Sequence, residues 1–155
     1  MRFLDIDEEE ARRRITLDYR LSPRFTIGLE YDGVSEILPR ATWFAVPMTA
    51  NSPSVTLGFT ADRLSTPEGH AVFLTFSKSM DTRFTPFVSV KYSTEDEMVA
   101  FPFGANYRLA PDMTMQAIYD GNYTHLLLSK AAGDGTLSLV LARTKHLGIA
   151  YSFGF

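Results

Sequence analysis

Arg14-Ile15-Thr16-Leu17-Asp18-Tyr19-Arg20-Leu21 alternates charged or polar residues with Ile15, Leu17, Tyr19 and Leu21. A period of two is the repeat of a β-strand whose faces meet different surroundings. Helical spacing would place apolar residues three and four apart, and here every second side chain is apolar instead. The next stretch repeats the pattern, with Phe25, Ile27, Leu29 and Tyr31 set against Thr26, Gly28 and Glu30. Ser22-Pro23-Arg24 between them supplies turn chemistry, so the pair is predicted to be a hairpin.

Working outward, the same period predicts eleven strands: 12–21, 24–32, 40–49, 54–63, 70–80, 83–93, 100–109, 112–120, 122–131, 135–143 and 147–155. Two are irregular. Segment 40–49 has apolar residues on both faces, and 122–131 contains Leu126, Leu127 and Leu128 in a row, so each is expected to be shifted or bulged. Connections fall into a tight set (SPR, ANSP, DTR, APD, AGDG) and a mostly longer, polar set (DGVSEILP, LSTPEG, STEDEM), the latter joined by short DGN and RTKH. One end of the sheet is therefore expected to be trimmed and the other elaborated. Residues 1–11 form an acidic lead-in, helical or disordered, in which Glu8, Glu9 and Glu10 precede Arg12, Arg13 and Arg14 at ion-pair spacing. Residues 12–155 form one β domain.

Composition bounds the function. The chain has 155 residues, 45% of them hydrophobic, a formal net charge of -3 and no cysteine. That is one domain, without the basic footprint of a nucleic-acid binder and without disulfides or thiolate metal sites. No apolar run approaches the roughly 20 residues of a spanning helix. The N-terminus lacks the pattern of a secretory signal, so an exported protein would be present here in a mature or truncated form.

The apolar face decides between water and lipid. Tyr19, Tyr31, Tyr92, Tyr107, Tyr119 and Tyr151 lie on the apolar parity near strand ends, where an amphipathic ring suits a membrane interface. The opposite face carries Arg14, Asp18, Arg20, Glu30, Lys91, Asn106, Arg108, Gln116, Asp120 and His125, interleaved with Gly28, Gly58, Gly104, Gly148 and Gly154. Large side chains facing small ones suit the narrow interior of a closed barrel.

The last ten residues, HLGIAYSFGF, continue the alternation to a terminal Phe. This ending resembles the C-terminal assembly signal of Gram-negative outer-membrane β-barrel proteins: His146 at the polar position, Gly148 at the glycine, Tyr151 and Phe153 as the hydrophobic pair, Phe155 as the terminal aromatic. The resemblance implies an antiparallel, up-and-down transmembrane barrel of 10–12 strands in the outer membrane, surrounded by its lipid and handled by the barrel-assembly machinery. Single-chain barrels of this class have an even number of strands. Eleven strands thus implies ten, or twelve with one strand missing upstream.

No nucleotide or metal motif is present, and His70, His125 and His146 fit no compact metal site. No cofactor is expected. His125 shares its parity with Ser129 and is expected to approach Asp120. A Ser, His and acid set would suit acyl transfer, as in outer-membrane lipid A deacylases, but the His-x-Ser pair of those enzymes is absent. The interior charges, with Arg40 and Asp62, read either as ion pairs that fix register or as the lining of a narrow aqueous path. The run Thr94 to Met98 reads as an acidic external tip, solvated or in contact with a cation or receptor. The expected function is a small passive channel or a structural, export-associated barrel. The alternatives are an outer-leaflet lipid-modifying enzyme and a soluble ligand-binding barrel.

Overall fold

The computed structural model describes residues 1–7, 12–31, 37–61, 70–94 and 97–154. These form thirteen strands: β1 (Arg2–Leu4), β2 (Arg13–Ser22), β3 (Phe25–Tyr31), β4 (Leu38–Val46), β5 (Ser54–Ala61), β6 (His70–Ser77), β7 (Phe84–Ser93), β8 (Met98–Ala100), β9 (Phe103–Ala110), β10 (Met113–Tyr119), β11 (Thr124–Ala132), β12 (Gly135–Ala142) and β13 (His146–Phe153). Every pairing is antiparallel. Each long strand pairs with its neighbours in sequence, β6 pairs with β7, and β1 joins β13 to β2, so the sheet closes into an up-and-down barrel.

Twelve strands make the ring, and β8 is an addition to it. β8 pairs with β7 in the same register as β9 does, with Lys91 opposite Ala100 and Val88 opposite Phe103. The two lie on one line, broken at Phe101-Pro102 because Pro lacks the N–H a ladder needs. The Ser89 N–H still donates to the Pro102 carbonyl across the break, at 2.7 Å.

The twelfth strand lies inside the stretch expected to be a lead-in. Arg2–Leu4 is β1, paired to Ala150, Ile149 and Gly148 of β13, so these residues are extended rather than helical or disordered. The sequence hides it because a three-residue strand shows no periodicity. Glu8, Glu9 and Glu10, and with them the expected helix, lie outside the described residues, while Arg13 and Arg14 belong to β2. The other predicted strands appear with boundaries moved by a few residues. The expected irregularity of 40–49 is a register shift between Phe44 and Val46. Strand β11 runs without one, and its three leucines divide between the faces, with Leu127 packing inward and Leu126 and Leu128 exposed.

Connections at one end, the turn end, include the two-residue links Pro23-Arg24, Pro111-Asp112 and Gly133-Asp134. Gly133 has φ of 61°, the left-handed conformation a tight hairpin demands. Two links at this end are longer than expected, 47–53 and 78–83. In the second, the Asp81 carboxylate accepts the N–H groups of Arg83 and Phe84, which hold its pKa below the ordinary value. The opposite, loop end carries 5–12, 32–37, 62–69 and the shorter 94–97, 120–123 and 143–145.

Alternation sorts the side chains. Leu17, Tyr19, Leu139 and Phe153 face outward at 58%, 67%, 53% and 64% exposure. The buried residues are inward ones near the loop end, among them Leu4, Arg14, Glu30, Thr60, Ala71, Ser89, Val140 and Ala142. The apolar majority is therefore outside, an inversion of the soluble plan.

Candidate functional site

The candidate site is the barrel interior. On the β2–β5 wall, Glu30 is 3% exposed and is met from three sides, by an ion pair and two hydrogen bonds. Arg14 Nη1 lies 2.8 Å from its Oε1, while Arg40 Nη1 at 3.3 Å and the Thr60 hydroxyl at 3.0 Å reach its Oε2. Arg40 Nε also meets Asp18 Oδ1 at 3.3 Å. Gly28 makes this second contact possible: it stands in register between Asp18 and Arg40, and a Cβ there would collide with the Asp18 carboxylate. Two cations and two anions thus form one balanced cluster, buried at Glu30 and wetter at Asp18. It fits the register-fixing alternative, since a buried charge persists only when paired and hydrogen-bonded.

Across the lumen, Asp120 and His125 form a second pair. His125 Nε2 lies 2.8 Å from Asp120 Oδ2, and the Asp120 Oδ1 accepts the N–H groups of Asn122 and Tyr123, both at 2.8 Å. Burial pushes the Asp120 pKa up, but the bond from His125 and those from the Tyr123 and Asn122 amides outweigh it and hold the carboxyl down at about 2. His125 Nδ1 receives the backbone N–H of Arg143 at 3.3 Å. The proton of the neutral ring therefore sits on Nε2, and both nitrogens are committed to structure. Arg143 and Thr144, at φ 51° and 55°, make the left-handed turn that delivers that N–H, and the Arg143 guanidinium lies 4.6 Å from the Tyr123 ring centroid.

The Ser, His and acid set is only half assembled. Asp120 meets His125 as expected, but Ser129 stands four residues along the strand, roughly 13 Å away at about 3.3 Å per residue. Its hydroxyl bonds instead to Ser138 at 2.7 Å. Thr75 with Ser89 and Ser54 with Ser77 repeat that arrangement, each joining residues directly opposite on neighbouring strands. These hydroxyl pairs zip the inner wall.

Between the two charge groups lies a cavity of about 300 Å³. Phe73, Ile118, Leu127 and Val140 give it an apolar wall, and Lys91, Gln116, Asp120 and His125 a polar one. Beside it Leu4 and Ile6 pack with Val140 and Ala142, contracting the lumen toward the loop end. Arg12 secures this segment by donating from Nε to the Ile6 carbonyl at 3.2 Å. Of the other interior candidates, Asn106 and Gln116 are half-buried, whereas Arg20 and Arg108 are exposed toward the turn end. The interior is thus packed at one end and wet at the other.

In the terminal segment, Tyr151 and Phe153 face outward with ring centroids 6.0 Å apart. Gly148 is buried opposite Leu4, whose side chain occupies the space a Cβ would need. His146 Nδ1 lies 3.0 Å from the Asp5 carbonyl. Phe155 lies outside the described residues, as do Asp62 and, in the acidic tip, Glu95 and Asp96. Glu97 is described, with φ of 50°. Among the described residues no three His, Asp or Glu side chains converge as a metal set.

Leu4, Ile6 and Arg143 were not legible as interior residues, and Thr60, though on the polar parity with Gly58, gave no sign that it meets Glu30. Arg143 reaches His125 through its main chain. The even-strand rule was the one signal that pointed toward β1. No protein-family model matches the chain, and no curated protein gives a significant match to its sequence.

Proposed function

We propose that this chain is a membrane-spanning barrel of a Gram-negative outer membrane, serving as a structural barrel with a constricted lumen rather than as an open diffusion pore. The observation that carries the membrane reading is the outward face. Large apolar side chains are exposed on every strand of the ring but β5, whose Val55, Leu57 and Phe59 are half-buried, and so broad an apolar display is unusual on a soluble monomer. Closure supports it as well, because only helices and closed barrels satisfy their backbone within lipid.

The constriction rests on Leu4, Ile6 and the Arg14–Glu30–Arg40 cluster, which occupy the lumen near the loop end. The outward Tyr151 and Phe153 are the residues offered to the barrel-assembly machinery, and the apolar belt is what outer-membrane lipid would solvate.

Migration in detergent gels with and without boiling tests the reading. A heat-modifiable folded form that needs detergent to stay monomeric is expected; a monomer stable in plain buffer would overturn it. In planar bilayers the folded protein is expected to show little conductance, and steady ohmic steps would restore the passive channel.

A further inference from the structure

On the wall of the interior cavity the charges are already matched. Asp120 is held by His125 and by the Asn122 and Tyr123 amides, and Arg2 and Lys91 each interact with other groups. The hydroxyls of Thr60 and Ser89 are bonded to Glu30 and Thr75. Of the buried and half-buried polar side chains on this wall, Gln116 alone makes no hydrogen bond or ion pair among the described residues. Asn106 stands directly opposite it on β9 and makes none either, so the two carboxamides do not satisfy each other. On its other side Gln116 is level with Leu127 and, one strand further, Val140, while Ile118 is the next inward residue on its own strand. Water is a poor partner for an amide set among these three. An ordered water is held by about two to four polar groups, and an apolar wall supplies none.

We infer that the cavity is a binding site for a neutral amphiphile, a compact apolar body carrying one hydroxyl that meets Gln116. A carboxamide offers both a donor and an acceptor, and a hydroxyl matches both at once. The apolar body takes the place of water along Phe73, Ile118, Leu127 and Val140, filling a void that the side chains leave open. At about 300 Å³ the cavity stands at the lower end for small-molecule pockets, so its occupant is a single short chain or ring rather than a whole lipid. Charge argues against an ionic head. With Asp120 bonded and Arg2 and Lys91 engaged, a carboxylate or ammonium group entering here would lose its water without gaining a partner of its own. A bound amphiphile would also fill the lumen beside Leu4 and Ile6, where it is already narrow.

The site depends on the inner wall and not on the medium outside, so its test can fail while the membrane reading stands. The folded, detergent-solubilised protein is titrated with ω-trifluoro-octanol and followed by fluorine NMR, with protein-free micelles giving the signal of the dissolved alcohol. A separate, saturable resonance is expected from the protein, and Val140→Phe, which fills the cavity, should remove it. Gln116→Leu nearly keeps the volume and removes the amide. It should weaken binding of the alcohol several-fold while ω-trifluoro-octane binds as tightly as before or more so. The matching carboxylate and ammonium probes should bind several-fold more weakly than the alcohol. Migration in gels with and without boiling checks that each variant folds. Absence of a bound resonance, or its persistence in Val140→Phe, would overturn the site. So would an unchanged preference for alcohol over alkane in Gln116→Leu, or an ionic probe that binds as tightly as the alcohol.

Discussion

Glu30 shows how a single side chain can hold a barrel wall. It lies on β3, yet it collects Arg14 from β2, Arg40 from β4 and Thr60 from β5. Removing it takes from Arg14 the carboxylate it meets and leaves Arg40 with Asp18. Glu30→Ala is therefore expected to cost about 3–5 kcal/mol, the range for breaking a buried pair, measured by urea unfolding in detergent. A loss under 1 kcal/mol would mean that water reaches the cluster. Asp120 gives a pH signature. Its folded pKa of about 2 lies below the ordinary value near 4, so its stabilising contribution is complete above about pH 4 and drains away as pH falls toward 2. Because the group is partly exposed, solvent screens the effect. Thermal unfolding followed across that window should show wild type losing stability relative to Asp120→Asn, and parallel profiles would refute the assignment.

Between neighbouring strands, stability rests on matching large to small. Gly58 of β5 stands opposite Phe73 of β6, and a Cβ at Gly58 would come within 2.5 Å of the Phe73 ring and 2.6 Å of the Ala41 carbonyl. Gly104 and Phe87 repeat the pair between β9 and β7. The ring covers the bare backbone of the glycine across from it, a known device for rescuing glycine in sheets. Gly58→Val is expected to destabilise by about 1–3 kcal/mol through overpacking. Phe73→Leu in the same chain should recover part of the loss, whereas strict additivity would show that the residues do not share that space. The element scale is also where the sequence was most legible. Strands such as β2 and β13 were plain because one face is uniformly apolar and the other is not. Strand β1 was not, since three residues hold too few repeats to show a period. The 78–83 connection looked like a tight DTR turn, but its length depends on where β6 and β7 stop pairing, which no local motif records.

For the molecule as a whole, the outward belt is the property that decides what surrounds the protein, and one substitution reads it directly. Leu139 lies mid-strand on β12 and faces outward. In a bilayer Leu139→Arg should cost about 2–4 kcal/mol, the midplane penalty for a cation, whereas in water the same exposed change would stay within about 0.5 kcal/mol. Refolding into lipid vesicles against urea separates the two. A soluble barrel predicts no effect. The alternation by itself determined that this chain is an antiparallel all-β domain, which face of each strand is apolar, and which charges point the other way. Those are local facts, carried by neighbours one and two residues apart. Only the tertiary structure decided that the ring has twelve strands and closes through β1, and that Glu30 gathers two arginines while Ser129 pairs with Ser138 instead of His125. Closure depends on contacts between residues more than a hundred positions apart, such as Leu4 with Gly148, and partner choice on which strands lie side by side and in what register. A period-two pattern is blind to these, because it fixes the face a side chain points to and not what stands across from it.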